Sequence, residues 1–513
     1  MSSAAVAERP AAETTPADDA VGAAPPWLRA KLAPRQPRDR LRGWIVAAAV
    51  TAFAAVLRLI GLSHPKGLVF DEVYYAQDAE QMLRHGVEWD VEADVGSYVA
   101  HPPFGKWCIA LGEWLFGYNE VGWRISAVIA GVASVLLITL LARRMTGSTV
   151  LGGVAGLLMA VDGLHLVLSR VALLDIFLAT FLLGAFYCLV ADKDARRARW
   201  LAALESGVDP AAGGRPPFAV PWQRVAAGVL CGLAMGVKWS ALWFILLFVV
   251  LIFVWEWRLR VTVGATRPIR ETLAGETGWV FGFGFASVAA YLATWAGWFA
   301  NDEASFRHWL HDNGSSEPPV VGALYNLWKY HLDVLEFHEQ LDSEHTYQSW
   351  PWQWLLNARP VAFFWSSDVD CGADRCASEV LLLGTPLLWW AFIPALIALA
   401  WWGLIKRDWR AWAILGGAAA GVAPWLAYPD RTMFFFYAIP AEPFLVLAVV
   451  FALGMIIGPS TAPPERRLTG SLVAAALVIL IVLCFAYFYP LYTGQPIPYD
   501  DWNARIWLND RWV

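Results

Sequence analysis

The sequence predicts an all-α polytopic membrane protein with about eleven transmembrane helices. Of its 513 residues, 58% are hydrophobic and only 16% are charged, whereas soluble domains carry about 25% charged residues. Apolar runs near the ~20 residues that cross a bilayer recur along the chain. The 31 Trp residues fit many membrane–water interfaces, where Trp is enriched. This composition excludes disordered, fibrous and disulfide-scaffold classes for most of the chain.

The chain begins with residues 1–42, which are rich in Ala, Pro and charge and contain no apolar run. We predict that they form a disordered cytoplasmic tail. The first apolar segment is long enough to span and lacks a cleavage site, so we expect an uncleaved signal anchor. The candidate spans are residues 43–62, 125–142, 150–168, 171–190, 224–237, 240–256, 277–298, 382–404, 411–427, 432–457 and 469–489.

The distribution of Lys and Arg predicts the orientation. With the N-terminus inside, the predicted inner segments hold about twice as many basic residues as the longer outer ones, as the positive-inside rule requires. The predicted transmembrane domain is 43–490, with large outer loops at 63–124 and 299–381 and an outer C-terminal tail at 491–513. The inner loops near 191–223 and 257–276 are basic and carry no motif. All 9 His residues lie on or beside the outer side, where we therefore expect the chemistry.

Two adjacent carboxylates follow the first span, in Phe70-Asp71-Glu72. One interpretation is a helix N-terminus, where acidic side chains favour the helix dipole. The other is a carboxylate held at the membrane surface as a general base. Adjacent residues on a helix do not face the same point. We therefore expect Asp71 to act as the base and Glu72 to support it.

Several basic residues are predicted to converge on the same outer face. Each alone is typical of an interfacial anchor or a turn. Together, facing an acidic pair, they suit a phosphate, which Arg binds through two hydrogen bonds and Lys as a point charge. The candidate phosphate-binding residues are Arg58, Lys106, Arg124, Arg170, Lys238 and Arg431.

The second large outer loop carries further polar candidates. His331 and His338 are seven residues apart and lie on one helical face, which predicts either a lining or an amphipathic surface helix. The Trp-rich stretch after Gln348 is typical of an interfacial helix. Cys371 and Cys376 are expected to form a disulfide, because this loop faces an oxidising exterior. The acceptor-side candidates are His101, His331, His338, His345, Tyr347 and Gln348.

Nucleotide motifs are absent from the sequence. It contains no Walker loop, no usable Gly-rich dinucleotide fingerprint, no CxxC pair and no His-Glu-x-x-His zinc motif. Nucleotide-driven chemistry at the inner face is therefore not expected.

Six motifs follow one another along the chain: Phe70-Asp71-Glu72, His101-Pro102-Pro103-Phe104-Gly105-Lys106, Arg124, Ser169-Arg170 through Asp175, Gly236 to Trp239, and His345-x-Tyr347-x-Ser349-x-Pro351-Trp352. In this order they resemble the motifs of protein O-mannosyltransferases. The resemblance covers roughly 45–490, nearly the whole chain. The second outer loop is too short for the β-trefoil domain of eukaryotic members, and the chain resembles the actinobacterial branch instead.

The resemblance implies a GT-C fold and a polyprenyl-phosphate-mannose donor. It implies mannose transfer to Ser or Thr hydroxyls of exported proteins, met during or after translocation, at the outer face of the cell membrane. Asp71 would activate the hydroxyl in an inverting single displacement, and cations would stabilise the leaving phosphate. No metal ligands or nucleic-acid partner are predicted, and dependence on a divalent cation stays open.

Two other functions stay open at this point. Another lipid-donor glycosyltransferase of the same fold, acting on a glycolipid or a cell-wall polymer, would share the acidic pair and the topology. A membrane transporter would also have many spans and intramembrane charges. Internal inverted repeats would support a transporter, but we find none in the sequence.

Overall fold

A computed structural model describes residues 24–33, 37, 39–508 and 511–512. Most of the predicted N-terminal tail lies outside these ranges. Within the described part of the tail, residues Pro26–Leu32 form a short helix, α1. Helix α2 then begins at Arg40.

The helices form where apolar runs are bounded by capping residues. The Asn119 side chain accepts backbone N–H groups at the start of α5, and Gly147 ends that helix in the left-handed conformation. The helices after α1 are α2 Arg40–Leu59, α3 Glu72–His85, α4 Phe104–Phe116, α5 Glu120–Thr146, α6 Thr149–Ala160, α7 Gly163–Leu168, α8 Asp175–Glu205, α9 Trp222–Met235, α10 Ala241–Val263, α11 Pro268–Thr294, α12 Ala296–Ala300, α13 Trp309–Asp312, α14 Val321–Glu339, α15 Pro351–Trp354, α16 Pro386–Lys406, α17 Trp409–Val422, α18 Glu442–Ile457, α19 Pro464–Thr493 and α20 Tyr499–Asn503. Two 3₁₀ helices span Ala423–Ala427 and Phe435–Ala438.

Each of the eleven predicted spans overlaps a helical segment. Among the described residues, 7 helices are long and apolar enough to cross a membrane: α2, α5, α8, α10, α11, α16 and α19. Helices α6 and α18 are apolar but shorter. The predicted span 150–168 is interrupted after Ala160, where Asp162 caps α7. The count of eleven and the orientation of the termini stay predictions.

Among the described residues, five short strands accompany the helices. Strand β1 Trp89–Asp90 pairs with β2 Val95–Gly96 in the first predicted outer loop. In the second, β3 Val361–Ser366 and β4 Cys376–Leu382 form an antiparallel hairpin, and β5 Ile497–Pro498 from the C-terminal segment adds to β4. A disulfide joins Cys371 to Cys376 at the hairpin tip. The C-terminal segment therefore packs onto the second predicted outer loop.

Helix α14 packs at the C-terminal end of α11. The main core lies between α5, α6, α8 and α18. A second cluster packs Leu327, Tyr330 and Val334 of α14 against Trp295 and Trp298, at and just beyond the end of α11. The opposite face of α14 exposes apolar side chains such as Trp328 and Leu332. Helix α14 thus has one buried face and one exposed face.

A buried ion network joins four helices at the predicted inner side. Arg224 contacts Asp192 at 2.7 Å and Glu276 at 2.8 Å, and Arg196 contacts Glu256 at 2.7 Å. Three arginines balance three carboxylates, which the sequence analysis did not predict. Removing one member of such a network costs about 3–5 kcal/mol. The members are Asp192, Arg196, Arg224, Glu256, Arg260 and Glu276.

Candidate active site

The Glu72 carboxylate fixes the end of the turn that follows α2. Arg124 donates to both of its oxygens at 2.8 Å. The backbone N–H groups of Val69 and Ala172 donate to them at 3.0 and 2.9 Å. Glu72 is fully buried. Its carboxylate is therefore saturated and serves to hold the turn against α5 and the segment before α8.

Arg124 holds the same turn through its remaining hydrogens. Its guanidinium donates to the carbonyl oxygens of Leu62, Pro65 and Gly67 at 3.2, 2.9 and 3.1 Å. With the two bonds to Glu72, all five N–H donors of the guanidinium are used. The geometry favours an anchoring role for Arg124, because no hydrogen is left for a phosphate oxygen.

Asp71 stands at the start of α3, yet its side chain makes no capping hydrogen bond. A plain capping role therefore does not describe this carboxylate. Burial raises the pKa of Asp71 to about 6, with the positive charge of Lys238 lowering it and the negative charge of Asp175 raising it. A half-buried carboxyl that has a raised pKa and makes no capping hydrogen bond suits a general base.

A cavity of about 260 Å³ is lined by Lys238 and Asp175, the two charged residues that act on the pKa of Asp71. Asp71 itself is not part of the lining. Lys238 donates to the Asp175 carboxylate at 2.8 Å on the cavity wall. The polar lining includes His101, Asp175, Lys238, Ser240, His338, Glu339 and Arg431. The apolar lining includes Leu178, Leu242, Trp243, Leu335, Trp425 and Pro440. One cavity thus joins a cationic region to an apolar rim.

The two histidines in the cavity are neutral. Burial and the charge of Arg431 lower the pKa of His338 to about 4, and burial lowers the pKa of His101 well below its usual value. Their rings stack with centroids 5.4 Å apart. Arg431 donates to the His338 carbonyl oxygen. Among the described residues, its Nε is buried without a hydrogen-bond partner. The cations of this cavity are Lys238 and Arg431.

The other predicted phosphate-binding residues lie outside the cavity lining. Arg58 donates to His165 Nδ1 at 2.7 Å and to two backbone carbonyls. Arg170 donates to carbonyls at the end of α2, including those of Ile60 and Gly61 at 2.7 and 2.9 Å. Lys106 pairs with Asp78 at 3.3 Å and also with Glu88. Whether any of them binds a phosphate stays a prediction.

The acceptor-side candidates occupy two places. His101 and His338 line the cavity, and His331 stacks beside it on Trp239 at 5.2 Å. His345, Tyr347 and Gln348 form a separate turn outside the lining. In this turn His345 Nδ1 accepts from Tyr347 N–H at 3.1 Å, and its own N–H donates to the Gln348 side chain at 3.2 Å.

Sequence reasoning missed two features of the site. Asp175 was noted only as part of the Ser169–Asp175 motif, although it pairs with Lys238 in the cavity. His165, expected on or beside the outer side, is fully buried and bonds Arg58 and Ser134. Among the described residues, no group of three or more His, Cys, Asp or Glu side chains is arranged to hold a metal ion.

Two family models match most of the chain. Residues 48–276 match dolichyl-phosphate-mannose-protein mannosyltransferase, and residues 323–512 match the C-terminal four TMM region of protein-O-mannosyltransferase. A polyprenol-phosphate-mannose–protein mannosyltransferase of Mycolicibacterium smegmatis (strain MKD8) is 41% identical, over 92% of this chain and 93% of its own length. The chain belongs to the protein O-mannosyltransferase family. It is therefore a membrane glycosyltransferase.

Other members and solved structures agree with this assignment. A Mycobacterium tuberculosis (strain H37Rv) member is 39% identical, over 92% of each chain. The Saccharomyces cerevisiae protein O-mannosyltransferase Pmt1–Pmt2 complex bound to the sugar donor matches with a TM-score of 0.73 at 16% identity, over 96% of this chain and 95% of that chain. At this identity the likeness shows the fold alone. The predicted GT-C fold is confirmed. The structure describes all of residues 299–381, and they contain no β-trefoil.

Proposed function

We propose that the chain transfers mannose from polyprenyl-phosphate mannose to Ser or Thr hydroxyls of exported proteins at the outer membrane face. Asp71 acts as the general base in an inverting single displacement. The observation that carries this proposal is the Asp71 carboxylate, which makes no capping hydrogen bond and interacts electrostatically with Lys238 and Asp175, two residues that line a cavity with an apolar rim. The family relatives, named for a polyprenol-phosphate-mannose donor and protein acceptors, support the choice of substrates.

The number of available carboxylates supports inversion. An alcohol is a poor nucleophile at neutral pH, so a base within hydrogen-bond reach must take its proton. A retaining mechanism needs a second carboxylate as nucleophile, about 5–5.5 Å from the first. Glu72 is saturated by Arg124 and two backbone N–H groups, and Asp175 is paired with Lys238. Of these three carboxylates, Asp71 is the one without a hydrogen bond or an ion pair among the described residues.

The cavity supports a lipid-phosphate leaving group. Negative charge grows on the phosphate as the sugar leaves, and fixed cations stabilise that charge. Lys238 and Arg431 supply them. Leu242, Trp243 and Leu335 continue the lining to the exposed surface, which suits the first isoprene units of a polyprenyl chain. The neighbouring turn of His345, Tyr347 and Gln348 is assigned to the acceptor side.

The first experiment tests the base. Purified protein is incubated with polyprenyl-phosphate mannose and a Ser/Thr/Pro-rich peptide, and the hexose mass gain is measured over time. Asp71→Asn should lower turnover by ~10²–10⁴-fold while the protein stays folded. Asp94→Asn is the matched control, because Asp94 is an exposed acid in the same outer loop. The product should have the anomeric configuration opposite to that of the donor. Wild-type turnover in Asp71→Asn would refute the assignment.

The second experiment tests the phosphate site. Lys238→Met and Arg431→Met should weaken donor binding and slow transfer together, since the same charge grows in the transition state. Lys66→Met, which removes an exposed lysine of the first outer loop, should change neither quantity. If both cavity variants keep wild-type donor affinity, the phosphate binds elsewhere.

A further inference from the structure

Phe70, which directly precedes Asp71, has a left-handed backbone with φ at 47°. Bulky residues other than glycine rarely adopt this conformation, because the Cβ atom approaches the backbone. Such a residue persists only where surrounding contacts hold it. The conformation sets the direction in which the chain enters Asp71. The contacts that hold Phe70 therefore bear on the position of the carboxylate.

Three other aromatic rings hold Phe70. Phe363 of β3 stacks on it with centroids 4.5 Å apart and planes at 16°. Phe434 and Phe436 meet it edge-on at 6.1 and 6.0 Å, and they stack on each other at 5.3 Å. We call Phe70, Phe363, Phe434 and Phe436 the ring cluster. It joins the turn before α3 to two segments that are about 290 and 365 residues later in sequence.

The carboxylate of Asp71 has no hydrogen bond of its own to fix it within the described part of the chain. Its neighbour Glu72 is fixed by Arg124 on one side, and Phe70 is fixed by the rings on the other. The backbone at Asp71 is thus clamped at both flanking residues. The direction of the base depends on these two clamps.

We propose that the ring cluster positions Asp71 for catalysis, with Phe70 and Phe363 as positioning residues. This inference rests on the proposed function of Asp71 as the base. The ring cluster also contacts one residue assigned to the donor side and one assigned to the acceptor side. Phe436 lies 5.6 Å from the Lys238 ammonium, and Phe434 packs edge-on against His345 at 5.0 Å. A displacement of the base by about 1 Å costs on the order of 10²-fold in rate.

A double-mutant cycle tests the inference. Phe70→Leu, Phe363→Leu and the double variant are compared for kcat, for KM of donor and peptide, and for the thermal unfolding midpoint in detergent. Each single variant should lower kcat by ~10- to 100-fold with the donor KM nearly unchanged. The double variant should be no slower than the slower single variant, because the two rings act through one contact. Phe363→Tyr keeps the ring and should restore most of kcat.

Trp365→Leu is the control for a purely structural role. Trp365 lies on the same strand, and its ring packs on Trp502 at 4.6 Å, outside the ring cluster. It should lower the unfolding midpoint and leave kcat near wild type. If Phe70→Leu or Phe363→Leu lowers only the midpoint, or if Trp365→Leu lowers kcat equally, the positioning role is overturned.

Phe70→Gly covers the case in which the leucine variants fail to fold. Glycine adopts positive φ without strain, so this variant should fold and still be slow, because it lacks the ring. Wild-type kcat in Phe70→Gly would overturn the inference. Asp71→Asn, measured in parallel, separates the two proposals. If it is inactive while the ring variants are fast, only the positioning fails. If it is fast, both fail.

Discussion

The acidic limb of the pH–rate profile should report the ionisation of Asp71. A general base works only when it is unprotonated, and kcat/KM reports its pKa in the free enzyme. With a pKa of about 6, about one tenth of the enzyme carries the ionised base at one pH unit below that value. Activity at pH 5 should therefore be about 10-fold below the plateau. An aspartate with an ordinary pKa would keep most of its activity at that pH.

Two variants that each remove one charge should shift the acidic limb of the pH–rate profile in opposite directions. Lys238 lowers the pKa of Asp71 and Asp175 raises it, while burial is the largest cause of the shift. Lys238→Met removes a favourable charge, so the pKa of Asp71 rises and the limb moves to higher pH. Asp175→Asn removes a like charge, so the limb moves to lower pH. Both variants break the same 2.8 Å ion pair. General damage to that pair would move the limb in one direction only.

The assay is the initial rate of mannose transfer between pH 4.5 and 8 at constant ionic strength, with peptide far below its KM. Two other carboxyls, one in each predicted outer loop, also titrate in or near this pH range. Burial raises the pKa of Glu379 to about 7 and that of Glu113 to about 8. The residual rate of Asp71→Asn identifies their contribution and should show no limb near pH 6. A wild-type profile flat down to pH 4.5 would refute the reasoning. So would shifts of Lys238→Met and Asp175→Asn in the same direction.

Three further predictions concern the supporting structure. Glu72→Gln leaves the Arg124 charge buried without its carboxylate, and should lower the free energy of unfolding by about 3–5 kcal/mol; an unchanged unfolding midpoint in detergent would contradict this. Replacing Cys371 and Cys376 by serine should cost at most a few kcal/mol, about what so short a loop supplies, and thiol reagents that modify both cysteines without prior reduction would argue against the bond. His345→Ala should raise the peptide KM with donor affinity unchanged, whereas a loss of donor binding would move this turn to the donor side.

The acidic pair could be interpreted from sequence because its geometry is local. Adjacent residues at a helix start point in different directions, so one of Asp71 and Glu72 had to support the other. In the structure the Glu72 carboxylate is buried and its hydrogen bonds are saturated. The Asp71 carboxylate makes no capping hydrogen bond. The roles of base and support remain predictions, but the different surroundings that they require are present.

The cations could not be sorted from sequence because their partners are distant along the chain. Arg58 bonds His165, which is 107 residues away, and Arg170 bonds carbonyls about 110 residues earlier. The motif positions indicate that a cation is present near the outer face. They do not indicate whether it faces a ligand or a carbonyl. Lys238 and Arg431 differ from the others only in their tertiary surroundings.

The three-stranded sheet of β3, β4 and β5 could not be predicted from the sequence for a related reason. Strand β5 has two residues and pairs with β4 across more than 100 residues of intervening chain. Such short strands have little periodicity of their own. Phe363 reaches Phe70 only because this sheet forms, so the ring cluster could not be predicted from the Phe70-Asp71-Glu72 motif.

The proposed reaction moves one negative charge beside the cavity. The cavity lining contains two cations, Lys238 and Arg431, and two carboxylates, Asp175 and Glu339, so their formal charges balance before the donor binds. During transfer the acceptor proton moves to Asp71, which loses its negative charge, while the leaving phosphate gains one. The total charge beside the cavity therefore stays constant, and only its position changes. Lys238 acts on Asp71 electrostatically and lines the cavity, so one ammonium is close to the charge before and after it moves. A fixed cation between the two sites lowers the cost of this transfer without rearrangement of the protein.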